Sequence, residues 1–244
     1  MAIRFPWQPK RDLEFIDSYR SIYQQIPIMR AKDIKTTGHE VQKKKYGSYK
    51  FPLCPGMDDY SKLGYIIPAW TDMHIMANKA GCATRVGSPI RGSNGFKNAV
   101  QMGKDVPDGF IQPEDDVPFA ALKFDSPWKI FASGDISALV MPAIYHSNFL
   151  DDLYVWPGIV DYKKFHVVNF ICTPKRKCEV EIKAGDPLLH VIPFWNKPIL
   201  AGFGPGTDIQ IDATRNEIPK HTKQYYRKNQ MTTKTFGIEK SSGE

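Results

Sequence analysis

The chain has 244 residues, 42% hydrophobic and 24% charged, a balance that fits a globular protein able to bury a sizeable core. Its 19 prolines and 18 glycines leave few windows long enough for a helix of several turns, which argues against a helical bundle and for a mainly β, loop-rich fold. The net charge of +7 attracts polyanions without specifying nucleic acid, and much of the excess lies in Lys43-Lys44-Lys45 and in residues 220–234.

In chain order, residues 1–50 read as an N-terminal arm and basic segment. Phe5, Pro6, Trp7 and Pro9 form an extended aromatic-proline piece, and Leu13, Ile16, Tyr19 and Tyr23 follow at roughly helical spacing. The N-terminus lacks a continuous apolar signal core and no segment reaches transmembrane length, so the expectation is a cytosolic chain with no membrane partner.

Residues 51–212 read as a β-rich core domain. Residues 64–68 and 73–76 form two strands around an Ala69-Trp70-Thr71-Asp72 corner, and Pro68 suits a strand end because it donates no ladder hydrogen bond. Residues 80–116, rich in glycine, asparagine and aspartate, read as loops between short strands. Within them Gly92-Ser93-Asn94-Gly95 lacks the Lys-Ser/Thr ending of a phosphate loop. Residues 119–124, 128–131 and 137–141 are three further β-type runs.

The most informative stretch is 157–194. Two apolar segments, 165–172 and 178–182, flank the basic turn Thr173-Pro174-Lys175-Arg176-Lys177 as a hairpin would. Val180 and Ile182 alternate with Glu179, Glu181 and Lys183, the period of a half-buried strand. A Gly185-Asp186-Pro187 corner leads to a third apolar run, 188–194. After a glycine-rich connection (Gly202-Phe203-Gly204-Pro205-Gly206-Thr207) and a short strand at 209–211, residues 213–244 form a basic tail with one short helical piece. In the tail, Tyr225, Tyr226 and Phe236 interleave with Arg227, Lys228 and Lys234. That pattern suits stacking on nucleic-acid bases or a strap across a neighbouring subunit.

Chemistry-bearing residues are sparse. Cys54, Cys82, Cys172 and Cys178 show no CxxC spacing, and free thiols are expected without a secretion signal, although Cys172 and Cys178 stand where a hairpin would set them face to face. His39, His74, His146, His166, His190 and His221 form no HxH, HxD or HExxH motif, so no metal ligands are assigned. Asp58-Asp59 and Asp151-Asp152 read as solvated loop charge. Asp161 follows Gly158-Ile159-Val160 where a strand leaves the core. A carboxylate there either orients a water or sugar hydroxyl as a general base or caps its own turn.

Gly158-Ile159-Val160-Asp161, followed by the run from Val180 through Gly185-Asp186-Pro187-Leu188-Leu189-His190-Val191-Ile192, resembles the core of the dUTPase and dCTP-deaminase superfamily. The likeness covers residues 136–194. It implies a β-clip-like fold, a homo-oligomer (a trimer in that superfamily) and Asp161 as catalytic base. His190 would stand near the phosphates, Tyr162 and Phe165 would replace the family's tyrosine motif as ligand-binding residues, and Lys175 and Arg176 would converge as cations. Mg2+ would be required only by nucleotide hydrolysis. The family's phosphate-binding serine motif has no counterpart in Ser137-Ala138-Leu139-Val140-Met141-Pro142, and Pro187 and His190 replace an arginine and a glutamine. A second, chain-wide pattern (Phe51 to Cys54, Gly64 to Pro68, Trp128, Gly158 to Asp161, Gly185 to Phe194) resembles uncharacterised proteins of marine bacteriophages. It implies a viral protein of the host cytoplasm or the virion.

Three functions are therefore expected in order. The first is a virus-encoded, non-catalytic structural or accessory binding protein that associates with itself or with other virion proteins. The second is a deoxynucleoside triphosphate hydrolase or deaminase-like enzyme with Asp161 as base. The third is a metal-dependent β-barrel enzyme. Contact with nucleotide or nucleic acid would run through the basic segments.

Overall fold

A computed structural model describes residues 12–18, 22–34, 55–87, 100–102 and 113–197. The aromatic arm, Lys43-Lys44-Lys45, Cys54, Gly92-Ser93-Asn94-Gly95, the Gly202 to Thr207 connection, the strand expected at 209–211 and the basic tail lie outside them, as do His39 and His221. The described chain is mainly β, arranged as three open antiparallel sheets rather than a closed barrel.

The first sheet is centred on β7 (Ala121–Ala132). β11 (Val167–Pro174) pairs along one edge of β7, and β9 (Leu153–Val155) pairs with β11 in turn. β1 (Leu13–Asp17) and β6 (Val100–Met102) share the opposite edge. Two apolar runs expected as separate strands, 119–124 and 128–131, are thus largely one strand. Ser126-Pro127 interrupts its ladder: Val167 faces Lys129 while Asn169 faces Asp125, so β7 carries extra residues between them. A proline has no N–H for a ladder, so it is accommodated in a bulge. The Ser126 hydroxyl accepts the Trp128 N–H at 2.9 Å.

The helical spacing over residues 13–23 is also overridden. Among the described residues there, only α1 (Ile22–Gln25) is helical, whereas residues 13–17 are β1. Leu13 and Phe15 pack toward the core at the period of a strand, and the open edge of β7 supplies the pairing partner.

The second sheet runs β10 (Gly158–Asp161), β8 (Ile136–Pro142), β13 (Pro187–Trp195), β3 (Tyr65–Pro68) and β2 (Met29–Arg30). The third runs β12 (Cys178–Ile182), β4 (Met73–Asn78) and β5 (Gly81–Val86). β11 and β12 therefore belong to different sheets and make no hairpin. Residues 173–174 extend β11, where Thr173 is buried opposite Tyr154, and the Lys175 N–H bonds Asp152 O at 2.8 Å. The chain turns away after Pro174 because pairing with β9 occupies that end of the strand.

One core joins the sheets. Its largest fully buried side chains include Trp70, Trp128, Tyr162 and Phe170, and Phe15 from the first sheet meets Tyr65 from the second with ring centres 4.9 Å apart. The Gly185-Asp186-Pro187 corner locks onto the Ala69–Asp72 corner: Ala69 N–H donates to Asp186 O and Gly185 N–H to Ala69 O, both at 2.8 Å. The Asp72 carboxylate accepts the Ala184 N–H at 2.8 Å. The first two bonds satisfy the backbone of buried Ala69, where an unpaired group would be costly, and the third ties the exposed Ala184 turn to it.

On the outer face of the second sheet, α2 (Pro55–Lys62) lays Tyr60 against Met141 and His190 and adjoins a 3-10 turn (Ala31–Asp33), whose Ala31 packs with Ile66 and Ala143. α2 ends through Gly64, whose φ of +72° suits the left-handed residue that closes many helices.

Candidate functional site

Asp161 stands at the end of β10, opposite Ser137. Its backbone oxygen accepts the N–H groups of Lys164 and Phe165, at 3.0 and 2.9 Å, and its carboxylate accepts the Lys163 N–H at 3.1 Å. The same carboxylate pairs with the Lys164 ammonium at 3.2 Å. It therefore closes the turn that carries the chain from β10 to β11, the structural role of a turn aspartate. Desolvation, the largest single influence, pushes the carboxyl up, but the Lys164 side chain, the Lys163 amide and the two lysine charges together outweigh it and hold it below the usual carboxylate range.

The folded carboxyl is thus more acidic than the unfolded one. The stabilisation is complete above the ordinary carboxylate range and is lost as pH falls through the lowered value. Asp161→Asn keeps an acceptor for the Lys163 amide and loses the ion pair. The expected loss is no more than about 1 kcal/mol, the range of exposed pairs, and urea unfolding at neutral pH measures it.

Of the other sequence candidates, Tyr162 is fully buried in the core, its hydroxyl makes no hydrogen bond among the described residues, and burial pushes its phenol up. Phe165 is exposed beside Asp161. Lys163 reaches across to Asp135 at 3.3 Å.

His190 lies on β13 with no exposed surface. It is opposite Met141, whereas Asp161 is level with Ser137 and Phe194. Four residues of strand rise and two strand spacings separate the two backbones by about 16 Å. Lys175 and Arg176 follow Pro174, while the Asp161 turn precedes Val167, so the two groups stand at opposite ends of β11, about 23 Å apart along the strand. Arg176 is engaged by Asp152, with its Nη2 at 2.8 Å and its Nε at 2.9 Å from Oδ1. Within one chain, Asp161, Tyr162 and Phe165 are neighbours, while His190 and the Lys175-Arg176 pair each stand apart from them.

A different grouping surrounds His190. Tyr60 of α2 lies against its ring at 5.1 Å, and His146, from the turn after β8, meets it edge-on at 6.3 Å. Sequence reading missed this cluster because residues 60, 146 and 190 come together only when α2 lies on the second sheet.

Cys82, Cys172 and Cys178 are free thiols. Cys178 and Cys82 both stand opposite Ala77, on either side of β4, and Cys172 is buried on β11, where desolvation first and the other two thiols second push it up. Among the described residues no group of three His, Cys, Asp or Glu side chains is placed to hold a metal ion. No described helix is long and apolar enough to cross a membrane. Neither the models of known protein families nor the curated protein sequences give a match to this chain.

Proposed function

We propose that this chain is a virus-encoded, non-catalytic structural or accessory binding protein on a β-clip-like scaffold, working as a homo-oligomer in the host cytoplasm or the virion. The observation that carries the reading is the use to which Asp161 is put. Its carboxylate closes its own turn and pairs with Lys164, some distance from His190, so the group that would serve as general base is engaged in holding the β10–β11 connection.

Assembly is supported by β10. It is one of the two edge strands of the second sheet among the described residues, and Ile159, 69% exposed, extends an outward row with half-buried Leu139 and Ile192. An apolar side chain on an open edge is a liability in a monomer and a pairing surface in an assembly. A trimer, or contact with other virion proteins, would cover it. The basic segments that would meet nucleotide or nucleic acid lie outside the described residues.

Native mass spectrometry is expected to show an oligomer that Ile159→Lys converts to monomer without loss of secondary structure; a monomeric parent protein would remove the assembly reading. Detection in purified particles tests the virion location. Mg2+-dependent hydrolysis of a deoxynucleoside triphosphate, abolished in Asp161→Asn, would replace this reading with the nucleotide-enzyme one, its site completed by a second subunit.

A further inference from the structure

The C-terminal end of a helix leaves carbonyl oxygens that its own turns cannot satisfy. At the end of α2 two such oxygens are met by buried histidines from elsewhere in the chain. His146 Nε2 lies 3.1 Å from Ser61 O, and His190 Nε2 hydrogen-bonds Leu63 O. Tyr60 adds a bond from its hydroxyl to Met141 Sδ at 3.1 Å and packs edge-on against Tyr145 at 5.5 Å. Side chains that titrate therefore take part in fastening α2 to the second sheet.

A carbonyl only accepts, so the proton of neutral His190 must sit on Nε2, which leaves Nδ1 as a lone pair. That Nδ1 is buried and makes no hydrogen bond among the described residues. Adding a proton there would bury a charge, on a donor with no acceptor among the described residues, beside the ring of His146. We propose that His190, with His146 beside it, is an acid-operated latch whose protonation frees α2 from the outer face of the second sheet and uncovers Met141.

Among the described residues, the titratable groups meeting His190 are Tyr60 from α2 and His146 from the turn after β8, with Tyr145 behind Tyr60. The charged Asp59 and Lys62 of α2 and Arg30 of β2 are exposed. Tyr60, pushed up to about 12 by burial and then by Tyr145, stays neutral throughout the acid range. Burial, reinforced by His146 and partly opposed by the Leu63 carbonyl, holds His190 below the ordinary histidine range. Because the folded ring binds its proton less tightly than the unfolded one, the latch is closed above the ordinary histidine range and loses hold as pH falls through the lowered value.

Hydrogen exchange of the full chain, corrected for the intrinsic pH dependence, tests this. Between pH 7.5 and pH 5, protection of residues 55–66 and 143–147 should fall at least about tenfold while β7 and β11 keep theirs. His190→Gln retains an N–H for Leu63 O but takes up no proton, and should keep α2 protected at pH 5. Equal protection of the parent protein at both pH values, or release in His190→Gln at the same pH as the parent, would overturn the proposal. If that variant does not fold, nitrogen-15 shifts of the His190 ring in the parent protein decide. The latch requires Nδ1 protonation to coincide with release of α2, and a ring that gains its proton with α2 still protected sinks it.

Discussion

Gly64→Ala is expected to destabilise the protein by about 3–5 kcal/mol, the sum of a left-handed non-glycine residue and an overpacked contact. A Cβ at this position would lie 2.3 Å from Val191 O and 3.2 Å from Ile192 Cα. Both neighbours are backbone, and Val191 is paired with Tyr65 on one side and Val140 on the other. β13 could yield only by disturbing its ladders. Gly81→Ala is the matched control: its φ of +130° is also unfavourable for alanine, but nothing lies within 4 Å of the added carbon. That change should cost only the conformational part, about 1–3 kcal/mol. Urea unfolding with an unchanged slope separates the two. Equal losses would mean that β13 does not press on Gly64.

Phe170→Ala is the second large effect, about 3–5 kcal/mol. Phe170 has no exposed surface and packs between Phe124, at 5.4 Å, and Phe149, at 6.2 Å. Removing the ring loses its transfer energy and leaves a cavity walled by strands that cannot collapse without breaking the β7–β11 ladder. For a domain stable by about 5–15 kcal/mol, either change removes a large share of the total. Thermal and urea unfolding of Phe170→Ala measure the loss, and a shift below about 1 kcal/mol would contradict the packing of the first sheet.

These positions differ in how they announce themselves. Phe170 stands in an apolar run that any reading assigns to a buried strand. Gly64 is one glycine among 18 in the sequence, and only the approach of β13 distinguishes it. The same contrast runs through the candidate site. Asp161 was legible as the end of a strand because Gly158-Ile159-Val160 precedes it, and β10 ends there. Its distance from His190 was not legible, since it follows from the order of β10, β8 and β13 in one sheet. The histidines at 146 and 190 share no local motif, and α2 is what brings both to one place.

What could be read from the residues alone was whatever a segment carries within itself. The crowding of prolines and glycines indicated a mainly β chain, which the structure has. The alternation of Val180 and Ile182 with two glutamates marked β12, where the first pair is buried and the second exposed. Partnership between segments was a different matter. Residues 13–17 carry a helical spacing yet form a strand because β7 offers an open edge, and β11 and β12 are neighbours in sequence yet join different sheets because β9 and β4 are their partners. Periodicity is a property of a few consecutive residues, whereas pairing, register and the meeting of distant side chains depend on which surfaces bury one another when the whole chain closes.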